Sequence, residues 1–154
     1  MASGGINRGK QFEEQIRNAF EHIDGVSIDR LLDPMAGYAG VRNICDFIVY
    51  KKPFEYYIEC KSHHGNTLPF TCITDNQWNG MLEKSKIEGV IAGVMVWFID
   101  KDVTMFIEIS ELDRLKSTGA KSIRFDSDCG TIISGKKKRV LFDYDMTDFF
   151  NRFF

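Results

Sequence analysis

The sequence predicts a mixed α/β (α+β) fold, a β-sheet flanked by helices, with the core order α-β-β-β-α-β-β. Three observations carry this. Residues 8–23 place Phe12, Ile16, Ala19, Phe20 and Ile23 at helical spacing. Two aromatic and β-branched runs, "ICDFIVY" and "FEYYIECK", flank "KKP" as the arms of a β-hairpin. "ITDNQWNGMLEKSKIEG" then reads as a helix and "VIAGVMVWFI" as a buried strand, because its apolar run is nearly continuous.

Taken in order, "MASGGI" is a flexible leader at 1–6, and Asn7 is the N-cap of the first helix. "GVSIDRLLD" follows as a strand. "PMAGYAGVRN", 34–43, is a loop rich in small residues and a candidate mobile arm. The hairpin comes next. In the second helix Thr74 and Gln77 stand at capping-box spacing, Trp78, Met81 and Leu82 supply the apolar stripe, and Gly89 ends it. After the strand at 90–99, "DKD" turns into "VTMFIEI". "SELDRLKS" is a short helix with Ser110 as its cap and Asp113 three residues on. "TIISGKKKRVLF" reads as a hairpin around Ser134-Gly135, and "DMTDFFNRFF" as a short aromatic helix. Without repeats or linkers, residues 1–154 read as one domain.

Composition sets bounds on function. Hydrophobic residues make up 44% and charged residues 27%, as in an ordinary globular protein. No apolar run is long enough to span a membrane, and the start lacks a secretory signal. Cys45, Cys60, Cys72 and Cys129 form no CxxC pair, so reduced thiols in a cytoplasm are expected. A net charge of -2 argues against nucleic acid only if charge is spread evenly, and "GKKKR" at 135–139 shows that it is not. The plainer alternative for that run is a solvated strand end.

The chemistry gathers on the first hairpin. Glu59 and Lys61 are two apart on one strand, so they share a face. Asp46 opens the other arm. With Lys52-Pro53 at the turn it faces Glu59; with Pro53-Phe54 it faces Lys61. In either register the three lie within roughly 5–8 Å of one another. Two carboxylates, with the backbone carbonyl of Cys60, suit Mg²⁺ or Mn²⁺, leaving positions for water and a phosphate. A neighbouring lysine suits the nucleophile or the charge of the transition state. The spacing Asp-x12-Glu-x-Lys is the pattern written PD-(D/E)xK; the alternative is a surface salt-bridge cluster. Cys60, His63 and His64 do not form a zinc set, because Cys60 faces away from Glu59 and Lys61.

These residues, in order along most of the chain, resemble the RecU-type Holliday-junction resolvases, a branch of the restriction-endonuclease-like nucleases. "NRG" with "FEEQI" resembles the family's opening motif and aligns Glu13 with its first-helix glutamate. "CDF" and "IECK" match its metal motif, "NTLPF" the segment after it, "DNQ" its helical glutamine at Gln77, and "KSIR" a late basic motif. The resemblance implies a restriction-endonuclease-like mixed sheet and a Mg²⁺-dependent nuclease, with Mn²⁺ as substitute. It implies that the enzyme cuts four-way DNA as a homodimer in a bacterial cytoplasm. Asp46 and Glu59 would hold the metal with Glu13 completing or flanking the site, Lys61 would act on the nucleophile, and Gln77 would support it. Residues 34–43 would be a shortened stalk. Arg8, Lys10, Arg42, Lys121, Arg124, Lys136, Lys137, Lys138 and Arg139 are the candidate phosphate contacts. Phe149, Phe150, Phe153 and Phe154 are candidates for the dimer interface. Two further readings are another nuclease of this fold and a DNA-binding module that does not cut.

Overall fold

The computed structural model describes residues 7–32, 42–138 and 141–153. The expected leader at 1–6, residues 34–41 of the expected arm, Arg139 and Phe154 lie outside the described residues. Helix α1 (Arg8–Glu21) starts where Asn7 accepts a hydrogen bond from the Lys10 amide, at 3.1 Å. Strands β1 (Val26–Arg30), β2 (Phe47–Lys51) and β3 (Phe54–His63) follow, with β2 antiparallel to both neighbours. Helix α2 (Asp75–Ser85) carries the chain across to β5 (Val90–Phe98), which runs parallel to β3. Antiparallel β6 (Val103–Glu108) and β8 (Thr131–Ile132) complete a sheet of order β1-β2-β3-β5-β6-β8.

Alternation along the strands divides the core between two faces. Tyr56, Ile58 and Cys60 pack with Phe12, Ile16 and Phe20 of α1. Ala92, Val94, Val96 and Phe98 pack with Trp78 and Met81 of α2 and with Leu112 of α3 (Ile109–Ser117). The α1 face also receives α4 (Thr147–Asn151), whose Phe149 and Phe150 are each 1% exposed. Their rings lie 5.4 Å from that of Tyr56. These two phenylalanines therefore belong to the chain's own core and are not available to bury a dimer interface.

Four local expectations change. "NTLPF" and "KSIR" contribute β4 (Thr67–Pro69) and β7 (Ser122–Arg124), which pair as a small antiparallel sheet. Helix α3 starts at buried Ile109 with Glu108 at the cap position, and Ser110 is not its cap. Asp113 instead accepts from Trp78 Nε1 at 3.0 Å. The late hairpin is β9 (Gly135–Lys138) with β10 (Leu141–Tyr144); Gly135 lies within its first strand, paired with Tyr144, so Ser134-Gly135 is not its turn. The reason is burial: Ile133 enters the core at 5% exposed and its amide bonds to Thr104, which keeps β8 on the main sheet. All four cysteines are free thiols. No helix among the described residues is long and apolar enough to cross a membrane.

Candidate active site

The first hairpin adopts one of its two possible registers. Phe47 pairs with Ile58 and Lys51 with Phe54, so Lys52-Pro53 forms the turn. The Asp46 amide continues the ladder to the Ile58 carbonyl at 3.1 Å. Its carboxylate Oδ2 accepts from the Cys60 amide at 2.8 Å, which ties it beside Glu59. Tyr57, Glu59 and Lys61 face α2 because Tyr56, Ile58 and Cys60 are committed to the α1 core.

On that face three side chains close on one another. Lys61 Nζ lies 2.9 Å from Glu59 Oε2 and 3.3 Å from Gln77 Oε1. Gln77 Nε2 donates to the same Glu59 oxygen at 3.0 Å. Gln77 is also the capping-box residue, accepting from the Thr74 amide at 3.1 Å while its own amide donates to Thr74 Oγ1 at 3.2 Å. The two roles expected for Gln77 thus coincide: the cap fixes the amide that holds Glu59 and Lys61. The Glu59 side chain is 5% exposed and that of Lys61 21%, so the carboxylate is sealed and the ammonium reaches the opening.

Burial pushes the Glu59 carboxyl up to about 8; the negative charge of Asp46 adds to the rise and Lys61 opposes it. Two carboxyl groups this close, one of them sealed from water, repel unless a proton or a cation intervenes. That donor set fits a divalent metal, which takes hard oxygen ligands and tolerates a site with one or two carboxylates. Burial also raises the flanking thiol of Cys45 to about 12, with Glu59 and Asp46 adding to it, so this cysteine stays protonated.

The segment that delivers Asp46 is clamped to α2. Asn76 Nδ2 donates to the carbonyls of Arg42 and Asn43, at 3.5 and 3.2 Å. Asn43 donates to the Leu32 carbonyl at 2.5 Å, and the Leu31 amide to that of Asp46 at 2.8 Å. Gly80 lets Ile44 lie directly on the helix; a Cβ there would overlap the Ile44 side chain. Asn76 and Gly80 were not foreseen as site residues. The only hints were an amide beside Gln77 and a glycine inside a helix, where it costs about 1 kcal/mol against alanine. Between these parts lies a cleft of about 220 Å³, lined by Arg42, Asp46, Glu59, Thr74, Asn76 and Gln77 among others.

The remaining expected residues lie around this centre. Glu13 bonds to Arg30 Nη2 at 2.9 Å and lines a second cleft with Lys10 and Arg17. Among the described residues no three or more His, Cys, Asp or Glu side chains gather as a metal cage. Arg8 donates to Gln11 at 3.3 Å. Arg124 forks onto Asp126, while Lys121 lines a separate cleft, beside Thr74 and Trp78. Lys136, Lys137 and Lys138 are exposed along β9, with Lys137 bonded to Asp102 and Lys138 lying 3.1 Å from Asp143. His63 ends β3, and exposed His64 bonds to Asp100 at 2.9 Å.

No family model and no curated protein sequence matches this chain. Its structure is similar to that of Hjc, a Holliday junction resolvase from the archaeal hyperthermophile Archaeoglobus fulgidus. The TM-score is 0.57, the identity 18%, and the match covers 80% of this chain and 95% of that one. The likeness is one of fold: the mixed sheet flanked by helices is the restriction-endonuclease-like arrangement expected from the sequence.

Proposed function

We propose that this chain is a Mg²⁺- or Mn²⁺-dependent endonuclease that resolves four-way DNA junctions in recombination and repair, in the manner of the RecU-type enzymes it resembles. One observation carries the proposal. A sealed glutamate, an aspartate and a glutamine line one cleft, and a lysine pairs with that glutamate and glutamine, in a fold shared with a solved junction resolvase. A surface salt-bridge cluster would not require a carboxyl 4% exposed.

Asp46 and Glu59 would hold the metal, with the Cys60 carbonyl as a further oxygen ligand. When bound, the cation would polarise the phosphodiester and supply hydroxide near neutral pH. The protein's own groups do the rest. Glu59 would have to be ionised to serve as a ligand, its proton passing to solvent. Lys61, freed from part of its pairing with Glu59, turns its donors to the attacking water or to the negative charge that builds on phosphorus. Gln77, fixed by the Thr74 cap, keeps Lys61 in position. Arg42, on the cleft wall, is suited to the neighbouring phosphate. A four-way junction offers two equivalent strands, and a two-fold dimer would cut both.

The test is a cleavage assay on a synthetic four-way junction, a linear duplex of the same sequence and a plasmid, with Mg²⁺, with Mn²⁺ and with chelator. Paired nicks in the junction alone, lost with chelator, are expected. Cutting from duplex ends or at sites in plasmid would replace this proposal with another nuclease of the fold. Tight junction binding without cutting in either metal would reduce the chain to a binding module.

A further inference from the structure

A further cleft does not contain Asp46 or Glu59. It is about 640 Å³, within the ~300–1,000 Å³ range of small-ligand sites. Thr74, the cap residue of α2, lines both this cleft and that of Asp46 and Glu59. Its floor is apolar: Phe70, Ile73 and Trp78 are 6%, 4% and 4% exposed. The Phe70 and Trp78 rings stand 5.4 Å apart, and the indole is held through Nε1 by Asp113. The rim is charged by Lys116, Lys121 and Asp75, two cations against one carboxylate. Gly119 and Ala120 leave the mouth open, and a Cβ on Gly119 would meet nothing within 4 Å.

An aromatic floor under lysines matches a nucleotide, whose base stacks and whose phosphate pairs with an ammonium. In the absence of nucleic acid the Lys116 ammonium lies 4.6 Å above the Trp78 ring. A base stacked on an aromatic ring is worth more than an exposed cation–π contact, so an arriving base displaces Lys116 toward the phosphate. The location is set by α2. Gln77, which holds Glu59 and Lys61, is followed directly by Trp78, which forms the floor. Lys121 is held to Phe70 by a backbone bond of 2.9 Å from the Phe70 amide.

We propose that this cleft seats one unstacked base of the cut strand, close to the scissile phosphate, with Lys116 and Lys121 on its phosphate. The inference rests on the nuclease reading above and specifies how the strand is held at the cut. A junction centre exposes bases that a continuous duplex keeps stacked, so such a cleft also favours branched DNA.

The test replaces each nucleotide within a few positions of the cut, one at a time, by an abasic sugar. Junction affinity is measured for wild type, Ala120→Phe and Thr71→Trp. The last two each plug the cleft at a lining residue without replacing Asp46, Glu59 or Lys61, and circular dichroism confirms that each is folded. Wild type should lose about tenfold or more in affinity at one abasic position. Both plugged variants should bind the intact junction as weakly as wild type binds that abasic one, and should lose nothing further from it. If junctions are bound and cut but no position couples to either plug, the base pocket is wrong and the nuclease reading stands. If no DNA of any shape is bound, both fall.

Discussion

The carboxylate cleft and the β9–β10 ribbon hold their charges in opposite ways. In the cleft Glu59 is sealed, and its partners are fixed by a helix cap, by Asn76 and by a glycine that lets Ile44 close in. On the ribbon Lys137 and Lys138 are exposed and rest on the chain's own acids, Asp102 and Asp143. Exposed ion pairs are worth 0–1 kcal/mol, so they exchange readily for phosphates. A buried carboxylate cannot exchange partners cheaply. Groups that must act at fixed distances are locked, whereas groups that need only attract a polyanion are left loose. On the proposed reading, an acidic chain carries a cationic surface that its own carboxylates mask until DNA binds.

The largest effect expected from breaking the locked side is on rate. Lys61→Ala should slow single-turnover cutting by about 100-fold or more, the scale of one transition-state donor. Metal affinity, measured by calorimetry, should change little. The reverse pattern would reassign Lys61 to the metal site.

The metal-free protein should also show the cost of the sealed carboxyl. Glu59 is raised in the fold from 4.5 to about 8. Between these values the unfolded chain has lost a proton that the folded chain keeps, so stability falls as pH rises through that window. The slope is about 1.4 kcal/mol per pH unit at most. Urea melts of Glu59→Gln should lack that slope. A stability that instead rises from pH 5 to 7.5 in wild type alone would mean that Lys61 outweighs burial.

Gly80→Ala sharpens the comparison from the packing side. Alanine favours a helix by about 1 kcal/mol, but the added methyl must displace Ile44, and overpacking costs about 1–3 kcal/mol. A net loss of up to about 2 kcal/mol with a drop in cutting is expected, and Ile44→Ala in the same chain should recover part of both. A simple gain in stability would show that the Ile44–Asp46 segment is not held by this contact.

The smallest structural effect belongs to the ribbon. Lys137→Ala with Lys138→Ala should leave thermal stability almost unchanged. The plot of log affinity against log salt should flatten by roughly two, one for each lost phosphate contact. An unchanged slope would leave the run as a solvated strand.

The same contrast explains what the sequence made legible. Local periodicity was enough for α1, the hairpin and α2, and strand alternation was enough to put Glu59 and Lys61 on one face. Gln77 was legible as the capping residue of α2. What escaped was non-local. The β4–β7 sheet joins segments more than fifty residues apart, and Lys137 meets Asp102 across 35 positions. Phe149 and Phe150 looked free at the end of the chain because nothing local says that Phe20 and Tyr56 await them. Gly80 and Asn76 carry meaning only once the loop at 42–46 is seen against α2.

The central claim is that Asp46 and Glu59 form a metal-dependent cutting centre, and one paired measurement tests it. Mn²⁺ is titrated into wild type and Asp46→Asn by calorimetry, and junction cutting is followed over the same concentrations. Cutting in wild type should follow the binding isotherm. Both binding and cutting should be lost in Asp46→Asn while gel-shift affinity for the junction is kept. Full-rate cutting in chelator, or by Asp46→Asn, would contradict the claim.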